Sequence, residues 1–148
     1  MKLVAGTGTV LAALAASACG GTTPPSLIQL RSQANQICSV ANREGSRIPT
    51  PASEASGRAF LKRGIQVLSP ELQQLRTLSA PEAASVVYTT AIDAFSRELA
   101  AMRTAVRALD RGQDPVIAFK SLQQRLSPLE TQADAAWQAL GITACVND

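Results

Sequence analysis

Cys19, Cys38 and Cys145 are the residues of this 148-residue chain whose type and placement could do chemistry, and histidine is absent. Without imidazole there is no Ser-His-Asp or Cys-His nucleophile, no His-rich zinc site and no imidazole acid–base step. The cysteines are an odd number, awkward for an exported protein unless one is used apart from a disulfide. Cys19 is placed for such a use, because it closes the small-residue run Ala15-Ala16-Ser17-Ala18. Upstream lie Lys2 and an apolar stretch from Leu3 to Leu14 broken only by Gly and Thr. A short apolar stretch with one basic flank and a small-residue exit reads as a cleavable export signal over 1–18, not as a spanning helix.

Ala16-Ser17-Ala18 before Cys19 resembles a bacterial lipobox, with Ala16 where leucine is usual; the same residues also form an A-x-A site for ordinary secretion. Lipidation is the reading adopted here, with the protein held at the extracytoplasmic face of the membrane. Secretion is the outcome if Cys19 takes no lipid. Residues 19–25 then form a spacer, and two acyl chains at about 0.8 kcal/mol per buried CH₂ suffice for stable anchoring. With Cys19 acylated, Cys38 and Cys145 remain as an even pair for one disulfide.

The other chemistry-bearing groups read as surface. Arg103, Arg107 and Arg111 recur every fourth residue, with Arg97 on a different part of the surface. Arg43, Arg47, Arg58, Lys62 and Arg63 form a second basic group. Either set could face anionic lipid headgroups or wall polymers, but exposed stripes of this kind are ordinarily solvated faces. Asp93 and Glu98 are five apart and share no helix face, and no E-x-x-H pair is present, so neither metal nor cofactor is expected. Net charge falls from +3 to +2 once Lys2 leaves with the signal, and aromatics make up 3% of the chain. Nucleic-acid binding is not expected on that charge, and there is no stacking platform.

Roughly 130 residues remain after the signal, enough for one core over 26–148. Periodicity marks four helices. The first follows Ser26 with apolar residues Leu27, Leu30, Ala34, Ile37 and Ala41, Cys38 beside that line, and a stop at Gly45. The second starts near Pro51 or Ser53 and carries Leu61, Ile65, Leu68, Leu72 and Leu75, with a kink expected at Pro70. Ser79-Ala80-Pro81-Glu82 reads as a capping box before a seam of Tyr88, Ile92, Phe95, Leu99, Met102, Val106 and Leu109, ended by Gly112. Asp114-Pro115 opens the fourth, with Phe119, Leu122, Leu126, Leu129, Ala133, Ala136 and Leu140, a kink at Pro128 and Gly141 as the cap. Trp137 reads as a partly buried flank of that seam.

These segments predict an all-α fold: an antiparallel up-down-up-down four-helix bundle kinked at Pro70 and Pro128. In it the fourth helix ends near the start of the first, so a tail folding back after Gly141 would bring Cys145 to Cys38.

Ala34-Asn35-Gln36-Ile37-Cys38 with Ala41-Asn42, together with Leu140-Gly141-Ile142-Thr143-Ala144-Cys145, resembles small helical exported lipoproteins of high-GC Gram-positive bacteria. The likeness spans the mature chain. It implies the same location, fold and cysteine pairing, and carries over no catalytic or binding residue. The expected function is a non-enzymatic, membrane-anchored envelope protein that serves as an interaction or accessory module for an envelope partner. The alternative is binding of a small apolar or lipid-like ligand in a cleft at the kinks, lined by Leu68, Leu72, Leu126 and Leu129.

Overall fold

A serine or an aspartate opens three of the four helices by accepting a backbone N–H that the first turn cannot satisfy itself. The computed structural model describes residues 25–146, with Glu54 and Ala55 described in backbone only. The segment read as an export signal, Cys19 and residues 20–24 of the expected spacer lie outside the described residues. Helix α1 spans Leu27–Gly45, where the Ser26 hydroxyl accepts from the Gln29 N–H and the Gln29 side chain accepts from the Ser26 N–H. Helix α2 spans Glu54–Thr77, with Ser53 and Ser56 in the same reciprocal arrangement. Helix α4 spans Pro115–Leu140, and the Asp114 carboxylate accepts from the Ile117 N–H.

Helix α3, Glu82–Asp110, departs from expectation. Its N-cap is Pro81, with no side-chain cap, so the Ser79 capping box does not form. A box on Ser79 would need Ala80 helical, and a residue preceding proline is pushed out of the α region. The helix therefore starts after the proline.

Helices α3 and α4 stop at glycines, whereas α1 ends at Ser46 and α2 at Leu78 without a left-handed residue. At Gly141, with φ +69°, the Gly141 N–H donates to the Gln138 carbonyl and the Ile142 N–H to the Trp137 carbonyl. Gly112, with φ +82°, ends α3 the same way through Leu109 and Ala108. Both are left-handed caps that recover orphan carbonyls. A short 3-10 turn, η1, Thr143–Cys145, follows α4.

Packing makes a helical bundle with no strand among the described residues. Helix α3 lies along α4, α2 along α3 and α1 along α2, while η1 touches both α1 and α4. One core cluster draws on all four helices and the tail through Leu30, Leu75, Leu99, Trp137 and Ile142. The other is built by α2, α3 and α4 alone around Leu61, Val106 and Leu122. Helix α1 thus covers one end of a longer three-helix body. Both prolines sit inside continuous helices. In α1 the buried line runs through Cys38, 1% exposed, with Ile37 only partly buried beside it.

Candidate functional site

One face of α1 holds the C-terminal tail. Arg31, Asn35, Cys38 and Asn42 follow at helical spacings of four, three and four, so they stack on one side of the helix. The Arg31 guanidinium donates to the carbonyl of Leu140, the last residue of α4. The Ala144 N–H donates to Asn35 Oδ1 at 2.9 Å, and Asn42 Nδ2 donates to the Ala144 carbonyl at 2.8 Å. Between the asparagines Cys38 is joined to Cys145 by a disulfide, with a Cα–Cα distance of 5.2 Å. That separation lies within the range disulfides require.

The arginines of α3 do not form one stripe. Arg103 turns toward α2, where it donates to the Ser69 hydroxyl at 3.0 Å, and Arg107 donates to Thr104 within its own helix. Arg97 and Arg111, which the sequence separates, instead border the same crease between α3 and α4, together with Arg125 from the facing helix. Two overlapping cavities occupy this crease, of about 250 and 450 Å³, sharing Ala101, Thr104 and Arg125. Alanine makes the space: Ala101, Ala105 and Ala118 are buried in its floor with Leu122 and Leu129. The helices touch there, but side chains one carbon long leave the outer seam unfilled. No acidic side chain lines either cavity.

The second basic group is largely matched by acids. Arg47 pairs with Glu44 at 2.8 Å, and Arg58 and Lys62 both reach Asp110, at 3.1 and 3.4 Å. These are exposed pairs of small energetic weight.

Carboxylates converge instead in the interior, from helices the sequence could not align. Glu71 on α2 is 8% exposed, and Glu98 on α3 has a buried Oε1 with no hydrogen-bond partner among the described residues. Burial, and then the neighbouring Glu98, raises the Glu71 carboxyl to about 7. Burial, and then Glu130 and Asp134 of α4, raises Glu98 to about 7. Removing a carboxyl from water disfavours its charged form, and like charges add to that. Among the described residues no group of three or more His, Cys, Asp or Glu is arranged to hold a metal ion.

The aromatic pair is structural. Tyr88 packs edge-on to Trp137 with centroids 5.9 Å apart and donates to the Leu75 carbonyl at 2.6 Å. Burial pushes the Tyr88 hydroxyl up to about 12. Trp137 is 2% exposed, a core residue and not the partly buried flank expected. The buried arc of α4 is wide enough to take Ala136 and Trp137 together, because alanine fills little of it.

No protein-family model, curated protein or solved structure matches this chain. The cleft expected between Leu68, Leu72, Leu126 and Leu129 is not built by those four leucines. Leu72 is buried in the four-helix cluster with Leu68 packed on it, and Leu126 packs on the three-helix cluster. Only Leu129 borders the α3–α4 crease, next to Pro128. Among the described residues no helix is long and apolar enough to cross a membrane.

Proposed function

We propose that this chain is an exported, lipid-anchored envelope protein without enzymatic activity, whose helical domain serves as an interaction or accessory module. The pairing of Cys38 with Cys145 is the observation that carries the reading. Disulfides of this kind belong to oxidising compartments outside the cytosol. The pairing also leaves Cys19 as the one cysteine outside it, beside a small-residue cleavage run suited to acylation. The chain has no histidine, so no serine or cysteine in it can be activated by an imidazole base. Its perturbed carboxyls lie within the bundle, and the cations that border the α3–α4 crease are arginines, which hold anions and do not act as proton-transfer groups.

The up-down-up-down course, bent at Pro70 and Pro128, belongs to this reading. Its support lies in pairs that run in opposite order along α2 and α3: Arg58 with Asp110, Ser69 with Arg103, Arg76 with Ser96.

Cys19→Ala tests the anchor. The variant is expected to leave the membrane for the medium or to accumulate as uncut precursor. Unchanged partitioning of the mature variant into the detergent phase would sink lipidation at this residue. A second reading, capture of a small apolar or lipid-like ligand in a cleft of the bundle, is favoured by the 450 Å³ cavity beside Pro128 and Leu129.

A further inference from the structure

We propose that the crease between α3 and α4 binds a fatty carboxylate with a single acyl chain, its head held by Arg111 and Arg125 and its chain directed toward Ala100 and Leu129. The proposal rests on the ligand reading just given and names the ligand's chemistry.

Three features of the crease select that ligand. Arg97, Arg111 and Arg125 make no ion pair among the described residues, whereas Arg47, Arg58 and Lys62 each have an acidic partner. A guanidinium presents a planar fork of donors suited to a carboxylate. The crease is also graded along its length. Its smaller cavity brings Arg111, Gln113, Ser121 and Arg125 together, while its larger one runs over Ala100, Ala101, Pro128 and Leu129. The larger one is bordered as well by Arg97, Thr104, Arg125 and Gln132. Pro128 and Leu129 lie only at the larger end, so the chain is placed there, and Arg97 beside it is exposed and can keep its guanidinium in water. The third feature is size: 450 Å³ falls in the range of small-ligand sites and suits one chain better than the two chains of a membrane lipid.

The arginines are exposed, so the head stays near water and the attraction is partly screened by salt. The floor, by contrast, is apolar and already formed: Ala101, Leu122 and Leu129 are 8%, 6% and 8% exposed. A chain laid there removes its own methylenes from water without repacking the core.

The test titrates the full chain with dodecanoate, below the concentration at which it forms micelles, and with the neutral alcohol dodecanol. Isothermal calorimetry reads affinity and backbone amide shifts read location. Dodecanoate is expected to shift Ala101 and Thr104, and to bind about tenfold more weakly to Arg125→Ala. Ala100→Phe, which fills the crease from an exposed position, should abolish binding of both probes, and Arg103→Ala should leave them unchanged. Equal binding of acid and alcohol, indifferent to Arg125→Ala, would overturn the carboxylate proposal while the apolar-ligand reading stood. No binding of either probe would remove both. Arg125-dependent binding to phosphatidylglycerol vesicles with no response to dodecanoate would overturn the proposal in favour of a membrane surface. An Arg103→Ala loss as large as that of Arg125→Ala would place the ligand elsewhere and overturn it as well.

Discussion

Asn35 and Asn42 hold the two backbone polar groups of a single residue, Ala144, one accepting its N–H and the other donating to its carbonyl. They do so from either side of Cys38, so the disulfide to Cys145 is flanked by hydrogen bonds to its own neighbour. Replacing either asparagine by alanine should cost about 1 kcal/mol. Asn35 is expected to matter more, since its bond is partly buried and that of Asn42 exposed. Chemical denaturation of the oxidised protein measures both. Equal stability of the Asn35→Ala/Asn42→Ala double variant and the parent would show the latch to be idle.

The disulfide itself closes a loop with a sequence separation of 107. In the chain-entropy account that closure is worth about 4–5 kcal/mol. Peptide mapping without reduction is expected to recover Cys38 joined to Cys145 and nothing joined to Cys19. A Cys38→Ser/Cys145→Ser variant should lose stability by that amount. Free thiols at both positions in protein isolated without reductant would refute the pairing.

The interior carboxyls set a pH dependence. Glu71 and Glu98 ordinarily titrate near 4.5 and stand near 7 in the folded protein, so folding takes up protons between those values. Their contribution to stability is complete below about pH 4.5 and is lost as pH rises through about 7. The melting temperature is therefore expected to fall between about pH 5 and pH 8. Glu71→Gln should flatten that fall and be more stable than the parent at the alkaline end. A melting temperature that rises across this window would contradict the burial of these groups.

The edge of the α3 seam is tested by two residues one turn apart, one in the core and one at its rim. Leu99 is 1% exposed in the core, whereas Arg103 lies on the surface against Ser69. Leu99→Ala should cost about 2–5 kcal/mol. Arg103→Ala should shift stability by no more than roughly 0.5 kcal/mol. Comparable losses in thermal melts would mean that the buried stripe extends to Arg103.

What could be read from the sequence was local. Ser26, Asp114, Gly112 and Gly141 act within one turn of themselves, and their capping roles follow from residue type and position. The helical seams followed from period alone, although Trp137 fell inside an arc wider than a heptad line. The features that needed three dimensions are those assembled across helices. Glu71, Glu98, Glu130 and Asp134 come from three helices, and nothing in their spacing gives the rotation of one helix about its axis relative to another. The same holds for Arg125, which meets Arg97 and Arg111 only because α3 and α4 are in contact. Ser79 failed for the opposite reason: its motif was present, but Pro81 overruled it locally.

The placement of the Cys38–Cys145 bond has a mechanical consequence. Helices α2, α3 and α4 lie wholly within the closed loop. A pull applied to the two chain ends enters at Cys38, crosses the sulfur bridge and leaves at Cys145, so the enclosed chain bears no tension. Only α1 up to Cys38 and the few residues after Cys145 can be drawn out, at no more than about 3.5 Å per residue. A domain tethered by its N-terminal end and tugged at the other would lengthen by part of one helix and then hold, with the bundle behind the bridge unloaded.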